Sequence, residues 1–245
     1  MKISLEDALG RLEEARFEDR DEKVANALML VGAAYLQRGQ LPQAFEALDE
    51  AHYLCAKLEN PMGRAQVCLW LARVLEGQGD YDQALARLDE AQEVFAESGE
   101  PSGRVEVLEA RARVLAGAGR PEEAVPFLEQ ARELALEAGD QVAQVIFEQD
   151  LAALYRRLGH QPQALAAYRR LEKLAARLGD HQRRALALVG IGSLEAALEN
   201  PERAREALGQ AHELYRRLGQ NQLAARVEEE LLGLPPDQTN DKIKK

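Results

Sequence analysis

Apolar residues recur along this chain at helical spacing, and the pattern repeats every 40 residues. From Glu22 to Asn221 the same arrangement appears five times with no insertion. Its anchor is a glycine followed five residues later by alanine: Gly39 and Ala44, Gly79 and Ala84, Gly119 and Ala124, Gly159 and Ala164. The fifth copy keeps Ala204 but has Glu199 at the glycine position. Leu48, Leu88, Leu128, Tyr168 and Leu208 follow, then Ala51, Ala91, Ala131, Leu171 and Ala211. Gly99, Gly139, Gly179 and Gly219 close four copies, and Glu59 stands in the first. A fixed period of this length marks stacked supersecondary units, each burying its apolar face against its neighbours.

Each unit predicts two antiparallel helices. In the first copy, helix A covers about 22–38 and helix B about 41–58. Glycine between them takes the left-handed conformation that ends a helix at little cost. Pro42, Pro121, Pro162 and Pro201 fall in the first turn of helix B, where a missing N–H is no loss. Pro126 lies deeper, where a kink is expected. Gly32, Ala72, Ala112, Ala152 and Gly192 share one helix A position. A small residue there lets the backbones approach, with the helix B alanines expected opposite.

The repeats have flanks. Residues 1–21 predict an amphipathic capping helix, with Ser4 as its N-cap and Leu5, Ala8, Leu9, Leu12 and Ala15 on one face. Residues 222–234 restart a helix A pattern and predict a C-terminal cap. Residues 235–245 are polar and aperiodic, and disorder is expected there.

Charge modifies the picture. The net charge is −11. Residues 62–141 hold 8 basic and 16 acidic side chains, whereas 142–221 hold 12 and 9. An acidic chain makes a poor generic binder of nucleic acid, whose affinity rests on phosphate neutralisation. The asymmetry suits steering of a partner or of a second copy. Cys55 and Cys68 fall on apolar helix positions and are expected to be free buried thiols. The four histidines are scattered without metal-ligand spacing, and no glycine-rich phosphate loop follows a strand. No catalytic residue, cofactor or metal is expected. No apolar run approaches a membrane span and no signal peptide is recognisable, so a cytoplasmic location away from membranes is expected.

Leu28, Val31, Gly32, Tyr35, Gly39, Ala44, Leu48 and Ala51 together resemble the tetratricopeptide repeat in its long form, as in kinesin light chains, LGN-type polarity adaptors and bacterial peptide sensors. The resemblance covers five repeats, 22–61, 62–101, 102–141, 142–181 and 182–221. Single departures are Glu148 at the Leu28 position, Arg111 at the Val31 position and Glu195 at the Tyr35 position. It implies an all-α, right-handed superhelical solenoid of five helical hairpins between two capping helices. Its helix A residues would line a concave groove that holds a segment of a partner, without catalysis.

By position, the implied groove residues are Asn26, Met29 and Leu30; Gln66, Leu69, Trp70 and Arg73; Glu106, Glu109 and Arg113; and Ile146, Gln149, Asp150 and Arg156. The Lys/Asn clamp of chaperone-binding members is missing. So is the asparagine that long-form members repeat, where Leu30, Trp70, Ala110, Asp150 and Gly190 stand. Trp70 is the only tryptophan and reads as an anchor or as filler between repeats. Arg73, Arg113 and Arg156 read as a ladder for acidic ligand groups, or as partners of the nearby Glu76, Glu106 and Glu109. The function expected is a non-enzymatic protein-interaction scaffold or adaptor. The alternatives are a self-assembling homo-oligomer joined by opposite charge and a peptide-sensing regulatory domain.

Overall fold

A computed structural model describes residues 4–235. The disorder expected for the tail falls on 236–245, outside the described residues; Pro235 is exposed and follows the last helix. Among the described residues there are twelve helices and no strand. They are α1 (Leu5–Phe17), α2 (Asp21–Gln37), α3 (Leu41–Lys57), α4 (Pro61–Gln78), α5 (Tyr81–Ser98), α6 (Pro101–Gly117), α7 (Pro121–Glu137), α8 (Gln141–Arg157), α9 (Gln161–Leu178), α10 (His181–Ala197), α11 (Pro201–Arg217) and α12 (Asn221–Leu232). Within the units the packed helical hairpins are α2–α3 and α4–α5, and α8–α9 and α10–α11, with α1 before the first and α12 after the last. The chain divides into two compact units, Met1–Leu134 and Ala135–Lys245, and the division falls within α7. α7 is assigned as one helix through Pro126.

In the first unit each helix packs on the next from α1 to α6, and α4 also contacts α6 directly. In the second unit α8 to α12 pack in the same successive way. Ser4 caps α1, its hydroxyl accepting from the Asp7 N–H at 3.0 Å. The repeated spacing of leucine and alanine becomes core: Leu48, Leu88 and Leu208 are buried, as are Ala51, Ala91 and Ala211.

A left-handed residue stands at every junction between successive helices. Gly39, Gly79, Gly119 and Gly159 have φ of 71°, 84°, 76° and 74°. Glu59 and Glu199 hold the same region at 51° and 60°, against the preference of any side chain with a Cβ. Each completes the same closing bonds: Asn60 N–H donates to Cys55 O and Asn200 N–H to Glu195 O, as Gln40 N–H does to Tyr35 O.

The small helix A position works differently from the sequence expectation. A Cβ on Gly32 would stand 2.5 Å from Cγ of Leu48, and one on Gly192 would stand 2.5 Å from Cγ of Leu208. The repeated leucine fills most of the space left by the missing side chain, and at Gly192 the Ala204 carbonyl oxygen also stands 3.3 Å away.

The departures from consensus are also accounted for. Glu148 and Glu195 are almost fully buried. Arg170 on α9 reaches Glu148 at 2.6 Å. Arg169 reaches Glu195 at 2.5 Å, and Asn200 donates to the other Glu195 oxygen at 3.0 Å. A buried carboxylate is tolerable only with such partners. Arg111 bonds Asp89 at 2.5 Å and lies 5.3 Å over the Phe127 ring, so its charge is partnered and its stem packed.

Candidate partner-binding groove

The groove residues of the first unit arise from helical periodicity. On α4, Gln66, Leu69, Trp70 and Arg73 occupy positions i, i+3, i+4 and i+7, and so share one face. On α6, Glu106, Glu109, Ala110 and Arg113 occupy the same four positions 40 residues later. Because α4 lies against α6, the two faces meet along one open pocket of about 390 Å³ lined by these eight residues. Leu69 and Trp70 are half-buried: Leu69 packs against the core around α4 and α5, Trp70 against the core around α2 and α3. Trp70 is therefore both filler and groove wall.

The charges in this pocket are not equivalent. Arg113 is held internally, its Nε 2.9 Å from Glu76 Oε2 and its Nη1 3.8 Å from Glu109. Glu106 is pushed above the usual carboxylate range, first by burial and then by the like charges of Glu109 and Glu100. Of the other expected groove residues in this unit, Asn26 is exposed on α2, while Met29 and Leu30 pack on the first core. In the second unit Ile146 and Arg156 are exposed on α8, and Gln149 and Asp150 are half-buried.

A second cluster was not legible in the sequence. His52 on α3, Cys68 on α4 and Glu90 on α5 bring one ligand atom each to within 4.8 Å of one another. His52 Nε2 lies 3.0 Å from Glu90 Oε1. Arg64 Nε lies 2.9 Å from the same oxygen, and Arg87 lies 3.6 Å from the other. Burial, then the Glu90 charge, pushes the Cys68 thiol up to about 12. Only the stacking of consecutive repeats joins these residues; the available signal was the 40-residue register, which sets Glu90 two positions from the counterpart of His52. Both cysteines are free and buried.

Residues 61–137 match the profile of the tetratricopeptide repeat family. These are tetratricopeptide repeats. No curated protein matches the chain by sequence. Three solved structures are similar in fold. BtubC from P. vanneervenii superposes with a TM-score of 0.74 at 16% identity, over 96% of this chain and 93% of that one. A signal transduction ATPase with numerous domains from Pyrococcus horikoshii, bearing a tetratricopeptide repeat sensor, gives 0.71 at 16% identity over 84% of this chain. The match spans only 32% of that larger protein. A Rap protein complexed with Competence and Sporulation Factor gives 0.65 at 21% identity, over 93% and 68%. Tetratricopeptide repeats are in general protein-binding scaffolds rather than enzymes. No helix among the described residues is long and apolar enough to cross a membrane.

Proposed function

We propose that this protein is a non-enzymatic scaffold that holds a segment of a protein partner in the groove between α4 and α6. The observation that carries this reading is the half-buried apolar surface at Leu69 and Trp70 lining one pocket with the exposed Glu106 carboxylate, which is crowded by the like charges of Glu109 and Glu100. Aromatic side chains in such settings dominate binding energies. A carboxylate crowded by like charge gains from a cationic neighbour. The partner segment suited to the site carries an apolar side chain for Trp70 and a lysine or arginine for Glu106. Arg73 orients the segment. Arg113 shapes the wall through Glu76 and Glu109 rather than gripping the ligand. The complex of the similar Rap protein with Competence and Sporulation Factor supports a bound partner on this fold.

Peptide-display selection on the wild type tests this, with binding remeasured on Trp70→Ala and Glu106→Gln variants whose helicity is intact by circular dichroism. Selected sequences should pair an apolar residue with a basic one. Trp70→Ala should weaken them by at least about tenfold, the scale of a hot-spot loss. Equal binding to both variants would remove the groove from the account. Molar mass measured at low and high salt checks the self-association alternative, since a complex held by opposite surface charge dissociates with screening.

A further inference from the structure

We propose that His52, Cys68 and Glu90 form a binding site for a borderline-soft divalent cation of the zinc type, pinning α3, α4 and α5 together. The three residues supply an imidazole nitrogen, a sulfur and a carboxylate oxygen, a donor set suited to such an ion and poorly suited to magnesium or calcium. Around a tetrahedral ion these donors stand roughly 3.4–3.6 Å apart, given bond lengths of about 2.0–2.3 Å. The observed atoms already lie within 4.8 Å of one another, so side-chain adjustment of about 1 Å completes the geometry. Each donor comes from a different helix, which places the ion across the junction of the first two repeats. Cys68 is fully buried while His52 and Glu90 are half-buried, so the site has an inner sulfur and a more open side.

Binding replaces three existing contacts of Glu90. The ion takes the place of the His52–Glu90 contact, and the Cys68 thiol releases its proton to buffer as the sulfur–metal bond forms. Arg64 and Arg87, with side chains 37% and 31% exposed, give up Glu90 oxygens to the ion. Three protein donors leave a fourth position open for water.

Titration of the metal-free, reduced full chain with Co²⁺ tests the site, followed by Zn²⁺ competition. The expected result is a thiolate-to-cobalt charge-transfer band that zinc abolishes and magnesium leaves intact. Cys68→Ser should lose the band, and His52→Ala should weaken binding by at least about tenfold. Cys55→Ser should keep both band and affinity, since Cys55 is outside the cluster. His52 is half-buried, so its replacement leaves the fold testable if Cys68→Ser proves unstable. No charge-transfer band in the wild type, or unchanged affinity in His52→Ala, would overturn the assignment.

Discussion

Arg113 on α6 places its Nε 2.9 Å from Oε2 and 3.2 Å from Oε1 of Glu76 on α4, tying neighbouring repeats across the groove wall. The pair is partly exposed, at 43% and 20% of the two side chains, so its energy is small. A double-mutant cycle with Glu76→Ala and Arg113→Ala should give a coupling of about 0.5 kcal/mol. A coupling near zero would mean that the arginine is free for a ligand after all.

Glu106 should make both stability and binding depend on pH. Its folded pKa is raised above the ordinary value of 4.5 by burial first and by Glu109 and Glu100 next. Between those two values the native state holds a proton that the unfolded chain has lost, so stability falls as pH rises through that window. Above it the unfavourable contribution is complete. Glu106→Gln should therefore raise the melting midpoint at neutral pH and lose that advantage below pH 4.5. A groove-bound cationic segment should bind the wild type less well as the pH falls through the raised value, because the carboxyl then loses its charge.

Two glutamates sit where glycine belongs. Glu59 and Glu199 adopt φ of 51° and 60°, a region that costs a side-chain-bearing residue about 1–2 kcal/mol. Glycine there loses part of that gain through greater freedom in the unfolded chain. Glu59→Gly and Glu199→Gly should each stabilise by about 0.5–1 kcal/mol, read from chemical denaturation midpoints.

Close approach makes another glycine hard to replace. A Cβ on Gly103 would stand 2.1 Å from Cδ1 of Phe95, a ring that is itself buried. Gly103→Ala should cost about 1–3 kcal/mol through displacement of that ring. Gly10 on α1 has nothing within 4 Å of the same point, and Gly10→Ala should stabilise by about 0.5–1 kcal/mol. Thermal melts of the two variants should therefore move in opposite directions.

Arg170 protects a buried charge. Arg170→Ala would leave Glu148 without its cation and with an oxygen already lacking a hydrogen bond. The expected loss is about 3 kcal/mol. Adding Glu148→Leu, which restores the residue type of the first repeat, should recover most of it. Urea denaturation of the single and double variants measures the difference.

The chain itself determined its helices, their pairing in sequence and the face of each that turns inward. The 40-residue register needs nothing beyond local periodicity and the left-handed turn, so even Glu199 marks a junction when read against Gly39, Gly79, Gly119 and Gly159. The register also set Gln66, Leu69, Trp70 and Arg73 on one helix face and Glu106, Glu109 and Arg113 on the next. Only tertiary structure decided which charges in that pocket are already paired, because Arg113 meets Glu76 through the approach of α4 to α6. It likewise decided that Leu48 fills the space at Gly32, and that Glu148 and Glu195 have arginine partners on α9. His52, Cys68 and Glu90 lie on three different helices, and nothing local in the sequence joins them. Periodicity fixes which way a side chain points along its own helix; the rotation and separation of neighbouring helices fix what it meets.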